Sequence, residues 1–89
     1  MEKFIVSGQY CDDVINKREL FRNEHLNRLS TLKEKNILIT LGPTKCTRYL
    51  FGIFSAYSEI DVQNLIEKDI YWQKGILISY KIYPWIKAF

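Results

Sequence analysis

The sequence predicts an α+β fold in which four antiparallel strands form one sheet and two helices cover one of its faces. The main observation is the order of segments: β-branched and aromatic segments and two longer helical segments follow one another as βαββαβ. Right-handed crossovers turn this order into a split βαβ unit. Because the 89 residues contain no repeat, linker or low-complexity segment, we expect residues 1–89 to form a single domain.

The first part of the chain predicts a strand followed by one long helix. Residues 3–10 form an apolar segment that ends in a polar turn, which is typical of a strand. Asn16 and Glu19 have the spacing of a capping box, so a helix is predicted over residues 17–35, a range without Gly or Pro. Asn36 suits the left-handed position that ends a helix.

A β-hairpin is predicted next. Residues 37–41 are rich in β-branched side chains and end at Gly42-Pro43, and residues 44–47 form the loop. Residues 48–57 form the third strand, and both of its faces are apolar. One face carries Tyr49, Phe51, Ile53 and Tyr57, and the other carries Leu50, Phe54 and Ala56. A strand of this kind is expected to be covered on both sides.

A second helix and a fourth strand complete the pattern. Ser58 and Asp61 have the capping-box spacing, so a helix is predicted from there to about Lys68. Its predicted apolar contacts are Ile60, Leu65 and Ile66. Residues 76–83 alternate in polarity as a strand does, and Pro84 is expected to end that strand.

The composition argues against nucleic acid, membrane and metal as partners. Lys and Arg number 13 against 10 Asp and Glu, and the net charge of +3 is too small to require a polyanion. The sequence has no long apolar run, so we expect a cytoplasmic protein that does not bind membranes. Its one His and its two distant cysteines, Cys11 and Cys46, do not form a metal-site pattern, and no cofactor is expected. We expect both thiols to be reduced; the alternative is a disulfide across one edge of the sheet.

The face of the sheet opposite the helices needs a covering partner. The sequence is 47% hydrophobic and 15% aromatic, which is more than a monomer of this size can easily bury. Because the third strand is apolar on both sides, we expect its open face to pack on the same face of a second copy, which gives a homodimer.

Three basic residues fall within the predicted apolar stripe of the first helix. The apolar members are Val14 or Ile15, Phe21, Leu26, Leu29 and Leu32, and Arg18, Arg22 and His25 lie among them. One interpretation is a pocket where His25 acts as general acid or base and an Arg binds an anionic or enolate oxygen. The other is structural, with arginine stems lying on the core and a hydrogen-bonded inward histidine.

Four motifs follow one another along the chain. They are Arg22-x-x-His25-Leu26-x-x-Leu29, Leu38-x-Thr40-x-Gly42-Pro43, Asp69 five residues before Lys74-Gly75, and Ile82-x-Pro84-Trp85. Their order and spacing resemble the YciI-like family, nearly end to end. The resemblance implies a ferredoxin-like subunit, a dimeric α/β barrel formed sheet to sheet, and an active site centred on a histidine and an aspartate. The chemistry known in that family includes dehydrochlorination of a chlorinated hydroxyhydroquinone.

By this resemblance the catalytic pair is His25 and Asp69, acting on a small aromatic or enolisable substrate. A carboxylate beside an imidazole fixes its tautomer and stabilises its protonated form. Arg22 and Arg18 are candidate substrate-binding residues, and Arg22 alternatively neutralises Asp69. Asp69 alternatively makes only a local turn. Ile70 stands where the family usually has proline, a change that leaves room for Asp69 to shift.

Tyr71 and Trp72, together with Trp85, are either walls of a pocket for a planar ligand or dimer contacts. Two other functions are left open by the sequence. The first is a non-catalytic dimer that binds a small ligand without converting it. The second is an RNA-binding module of the RRM type, which shares the βαββαβ order, although Tyr49-Leu50 replaces the Lys/Arg-Gly start of its aromatic motif.

Overall fold

The computed structural model describes residues 1–89 and contains one four-stranded sheet. The strands are β1 (Glu2–Tyr10), β2 (Leu38–Pro43), β3 (Tyr49–Ala56) and β4 (Leu77–Trp85). All pairs are antiparallel, and the order across the sheet is β2-β3-β1-β4. This is the order of a split βαβ unit, so the predicted α+β fold is confirmed.

The helices are α1 (Val14–Lys17), α2 (Arg22–Glu34), α3 (Glu59–Glu67) and α4 (Ile70–Gln73), and a 3-10 turn joins α1 to α2. The predicted start of a single helix over residues 17–35 is therefore wrong. Asn16 lies inside α1 and donates a hydrogen bond to the side chain of Asp13 at 2.8 Å, so it cannot cap a helix that begins after it. The predicted end is confirmed, because Asn36 has a left-handed backbone with φ 61°.

The core lies between the sheet and the helices. Alternate residues of the strands face the helices and are buried, as expected for period-two side chains. They include Phe4, Val6, Tyr10, Leu50, Phe54 and Leu77, and Leu32, Val62 and Ile66 cover them from the helices. The prediction that Ile60 makes core contacts is wrong, because the residue is 63% exposed. Leu26 is also exposed, because the buried face of α2 follows His25, Leu29 and Leu32 instead.

Two local predictions about helix and strand ends have different outcomes. Ser58 caps α3 as predicted, and its Oγ accepts a hydrogen bond from the Asp61 N–H at 3.3 Å. Pro84 does not end the last strand, which continues to Trp85. Because β4 is an edge strand, a proline without an N–H is tolerated there.

The second face of the sheet carries no helix. Tyr49, Phe51 and Tyr83 are about half exposed on this face, and Ile53 is half buried beside them. At one end of the sheet, Cys11 and Cys46 line the same shallow cleft as free thiols. None of the helices is long and apolar enough to cross a membrane.

Candidate active site

His25 and Asp69 are in direct contact although they are 44 residues apart in sequence. His25 lies on the buried face of α2, and Asp69 immediately precedes α4. The His25 Nδ1 and Asp69 Oδ1 atoms are 2.7 Å apart, and the residues are only 9% and 7% exposed. The two residues predicted as a catalytic pair therefore form one buried hydrogen-bonded unit.

Asp69 is positioned by its own neighbours in sequence as well as by His25. It is the N-cap of α4, where its Oδ1 accepts a hydrogen bond from the Tyr71 N–H at 2.9 Å. Ile70 is the first residue of α4, a position that also favours proline. The backbone at Asp69 is extended, with φ −74° and ψ 141°, a conformation that a residue before proline also adopts. Asp69 thus makes the predicted local turn contact and the contact with His25 at the same time.

Arg28 is the third member of this cluster and was not predicted. Its guanidinium donates to Asp69 Oδ2 at 3.2 Å and to the Leu65 carbonyl oxygen at 2.8 Å. Arg22, which the sequence offered as the neutralising partner of Asp69, forms no ion pair. The available signal was spacing, since Arg28 follows His25 by three residues and lies on the same helix face.

The charge of Asp69 determines the tautomer of His25. Burial would raise the pKa of Asp69, but hydrogen bonds from His25 and Tyr71 and the charges of His25 and Arg28 outweigh it and lower the pKa. The carboxylate is therefore ionised at neutral pH and accepts from Nδ1–H. When the ring is neutral, Nε2 is therefore its basic nitrogen. Because every fully buried side-chain N or O atom has a hydrogen-bond partner, the unpartnered Nε2 is in contact with solvent.

Tyr71 fixes the plane of the imidazole. Its ring is stacked on that of His25, with ring centres 3.6 Å apart and planes inclined by 7°. Tyr71 is the second residue of α4. This one turn therefore contacts the imidazole ring of His25 twice: Asp69 binds its edge by a hydrogen bond, and Tyr71 stacks on its face. The ring of His25 is thereby held in one orientation.

A cleft opens beside His25 with about 390 Å³ of empty space, part of which is open to solvent. Its polar lining residues are Tyr10, Arg18, Arg22, His25 and Tyr71, and its apolar lining includes Leu26, Leu29, Leu41 and Pro43. Neither Arg18 nor Arg22 forms an ion pair. Unpaired guanidinium groups beside a basic nitrogen favour an anionic ligand.

Residues 2–86 of the chain match the YCII-related domain. The chain belongs to this family. Its fold is similar to that of 5-chloro-2-hydroxyhydroquinone dehydrochlorinase from Burkholderia phenoliruptrix, which was solved in complex with 2,5-dihydroxybenzoquinone. The TM-score of this match is 0.83 and the sequence identity is 21%, and the match covers 97% of this chain and 95% of that one. Protein Atu4242 from Agrobacterium tumefaciens is similar at a TM-score of 0.60 and 9% identity, over 99% of this chain and 94% of that one. No curated protein matches significantly.

The family match confirms the resemblance that the four motifs indicated, and the likeness to solved structures supports the α+β fold. Within this YCII-related domain, the structure brings four of the predicted site residues, Arg18, Arg22, His25 and Tyr71, to the cleft, with Asp69 directly behind His25. Trp72 is not among them.

Trp72 packs edge to face against Tyr80, with ring centres 5.1 Å apart, and does not line the cleft. Trp85 pairs with Lys3 across the sheet, at the opposite end of β4 from the cleft. Tyr10 does line the cleft and was not predicted, because the last residue of an apolar strand resembles an ordinary core residue. No group of three His, Cys, Asp or Glu side chains is placed to hold a metal.

Proposed function

We propose that this protein is a small-molecule enzyme in which His25 and Asp69 form a general acid–base pair. The observation that supports this proposal is the buried 2.7 Å contact between them at the wall of an open cleft. A histidine held by an ionised carboxylate, with its second nitrogen free, can accept a proton from a ligand and return it.

The proposed substrate is a small planar molecule with an acidic or enolisable hydroxyl group. Arg18 and Arg22 offer positive charge to an anionic oxygen, and the apolar lining of the cleft suits a ring. The structural neighbour is named for a chlorinated hydroxyhydroquinone and was solved with a dihydroxybenzoquinone. A related ring is the class of substrate that we propose for this chain.

In the proposed reaction His25 Nε2 takes a proton from the substrate, and Asp69 stabilises the imidazolium that forms. In the proposed elimination of HCl, the proton that His25 takes from one hydroxyl is returned to the ring carbon that carries chlorine, which gives the keto tautomer. Loss of the proton from a second hydroxyl to solvent then forms a new C=O bond, the adjacent ring double bond shifts, and chloride leaves with the electron pair of the C–Cl bond. Arg18 and Arg22 would offset the negative charge that develops on the substrate oxygen.

Chloride release from 5-chloro-2-hydroxyhydroquinone tests this proposal. Loss of a positioned general base costs about 100-fold to 10,000-fold in rate, so His25→Ala should reduce turnover by that order. The matched control is Asn27→Ala, which changes an exposed residue of the same helix. Activity unchanged by His25→Ala would remove His25 from the mechanism. Binding of the compound by the wild-type protein without turnover would favour the non-catalytic alternative.

We also propose that the protein is a homodimer that packs through the open face of its sheet. That face carries Tyr49, Phe51 and Tyr83 and includes only two charged residues, Lys3 and Lys81. A face with exposed aromatic rings and few charges is suited to a copy of itself.

The dimer proposal is tested by size-exclusion chromatography with light scattering, at low and at high salt. A dimer through an apolar face should be insensitive to salt, whereas binding of RNA weakens steeply as salt increases. Phe51→Lys should give monomers, and Ile60→Lys on the helix side should not. A wild-type monomer that binds RNA would contradict the dimer and favour the RRM-like alternative.

A further inference from the structure

Tyr10 ends β1 with its ring inside the molecule and its hydroxyl without a partner. The residue is only 8% exposed and lines the cleft together with His25, Arg18 and Tyr71. Its hydroxyl forms no hydrogen bond within the protein, yet it is not sealed off, because no fully buried side-chain oxygen lacks a partner. Phenol oxygens in protein interiors usually find a partner. The Tyr10 hydroxyl is therefore a free donor at the wall of the cleft.

The same ring also borders the apolar gap behind His25, between the helices and the sheet. Tyr10 is thus held by core contacts, and its hydroxyl has a fixed position relative to the imidazole. A donor that is fixed before the ligand arrives loses little entropy on binding.

The surroundings keep this hydroxyl protonated. Burial, followed by the charge of Tyr71 and then that of Asp69, raises the pKa of Tyr10 to about 12, while the charge of Arg18 opposes the shift. Tyr10 can therefore donate a hydrogen bond throughout the physiological pH range, and it does not serve as a base. The proton acceptor of the cleft is His25 Nε2.

We propose that the Tyr10 hydroxyl binds substrate by donating a hydrogen bond to an oxygen atom of a planar ligand. This inference rests on the proposed function and narrows its substrate class. The ligand has at least two oxygen atoms: an anionic oxygen that faces Arg18 and Tyr10, and a second oxygen that lies next to His25. A neutral hydroxyl and a guanidinium side by side select an oxyanion over an uncharged ring.

The test is binding of 2,5-dihydroxybenzoquinone, followed by its visible absorbance, to the wild type and to Tyr10→Phe. Loss of a hydrogen bond to a charged group should weaken binding by about 10-fold to 100-fold. The thermal transition should stay unchanged, because the deleted hydroxyl leaves no protein group unpaired. The matched control is Tyr57→Phe, in which an 80% exposed tyrosine is changed and binding should not be affected.

Equal affinity of Tyr10→Phe and the wild type overturns this inference but leaves the acid–base proposal intact. Failure of the wild type to bind the quinone overturns both. A crystal structure of the wild type with the quinone gives a second measurement that does not depend on a variant. A quinone oxygen about 3 Å from the Tyr10 Oη supports the inference, and a separation greater than about 4 Å overturns it.

Discussion

Replacing Asp69 with asparagine removes the charge at the centre of the candidate site and leaves its shape almost unchanged. The carboxylate accepts hydrogen bonds from His25 at 2.7 Å, from the Tyr71 N–H at 2.9 Å and from Arg28 at 3.2 Å. An asparagine has one acceptor oxygen and turns an NH2 group toward donors. At least one of the three hydrogen bonds is lost, and the others lose the contribution of the charge.

The expected cost is about 3 kcal/mol of unfolding free energy at pH 7, since each hydrogen bond to a charged group contributes about 1.5–3 kcal/mol. Removal of one member of a buried ion pair costs about 3–5 kcal/mol. We take the low end of that range because the Arg28 side chain is 28% exposed and its ion pair is weakened by water. A loss of this size lowers the thermal midpoint of a small domain by about 12–24 °C.

The dependence on pH gives a second check on the same variant. Burial opposes ionisation of Asp69, but the hydrogen bonds and the positive charges around it lower its pKa overall. A carboxyl group with a lowered folded-state pKa adds stability that is complete well above its unfolded pKa of about 3.9 and is lost as the pH falls through the folded value. The difference between the wild type and Asp69→Asn should therefore be full at pH 7 and should shrink below about pH 4.

Urea denaturation followed by tryptophan fluorescence, at one fixed protein concentration, measures both effects. Asp12→Asn is the matched control, because Asp12 is an exposed turn residue for which the structure shows no side-chain bond. A loss of less than about 1 kcal/mol at pH 7 would refute the argument, since one hydrogen bond to a charged group is worth more than that. A loss that does not shrink as the pH is lowered stepwise from 7 to below 3 would refute the assignment of the effect to the charge.

Three further outcomes follow from the packing, the helix cap and the thiols. Ile66→Ala should cost about 2–5 kcal/mol in urea denaturation, and Ile60→Ala on the exposed side of the same helix should cost little; equal losses would contradict the packing. Ser58→Ala should cost about 1 kcal/mol, measured by thermal melting, because the Asp61 N–H loses its acceptor; an unchanged melt would argue against the cap. Cys46 should be alkylated by iodoacetamide before Cys11. A hydrogen bond with Thr44, a hydrogen bond with the Arg48 backbone and the charge of Arg48 all lower the pKa of this exposed thiol. Equal labelling of the two cysteines, measured by mass spectrometry, would exclude that order.

Much of the fold was predictable because its signals are local. Strand periodicity places the apolar faces of β1 and β3, and the cap at Ser58 depends on residues three positions apart. The start of the first long helix was not predictable in this way. Asn16 had the spacing of a capping residue, but its side chain reaches Asp13 instead, and the chain makes a short helix and a 3-10 turn before α2. An Asn side chain can cap a helix or bond to a neighbouring turn residue, and both arrangements fit the same residue spacing.

The candidate site was only half visible in the sequence. His25 is conspicuous because a basic residue on an apolar helix face needs an explanation, and Asp69 became a candidate only through the family resemblance. Arg28 was not predicted for a physical reason: an arginine at the edge of a buried helix face normally extends its charged end into water. Its hydrogen bonds to Asp69 and to the Leu65 carbonyl depend on where α3 and α4 pack. The position of α3 and α4 relative to α2 depends on packing between residues far apart in the sequence, so it could not be predicted from local patterns.

The single turn of α4 orients Asp69 without a proline at position 70. Asp69 is held by the Tyr71 N–H as an N-cap, and the same turn supplies the Tyr71 ring that stacks on His25. The carboxylate is therefore oriented by a backbone contact two residues away as well as by the imidazole. It follows that His25→Ala should leave Asp69 in place with two of its three donors, so a loss of activity in that variant reports on the chemistry of the imidazole and not on collapse of the site.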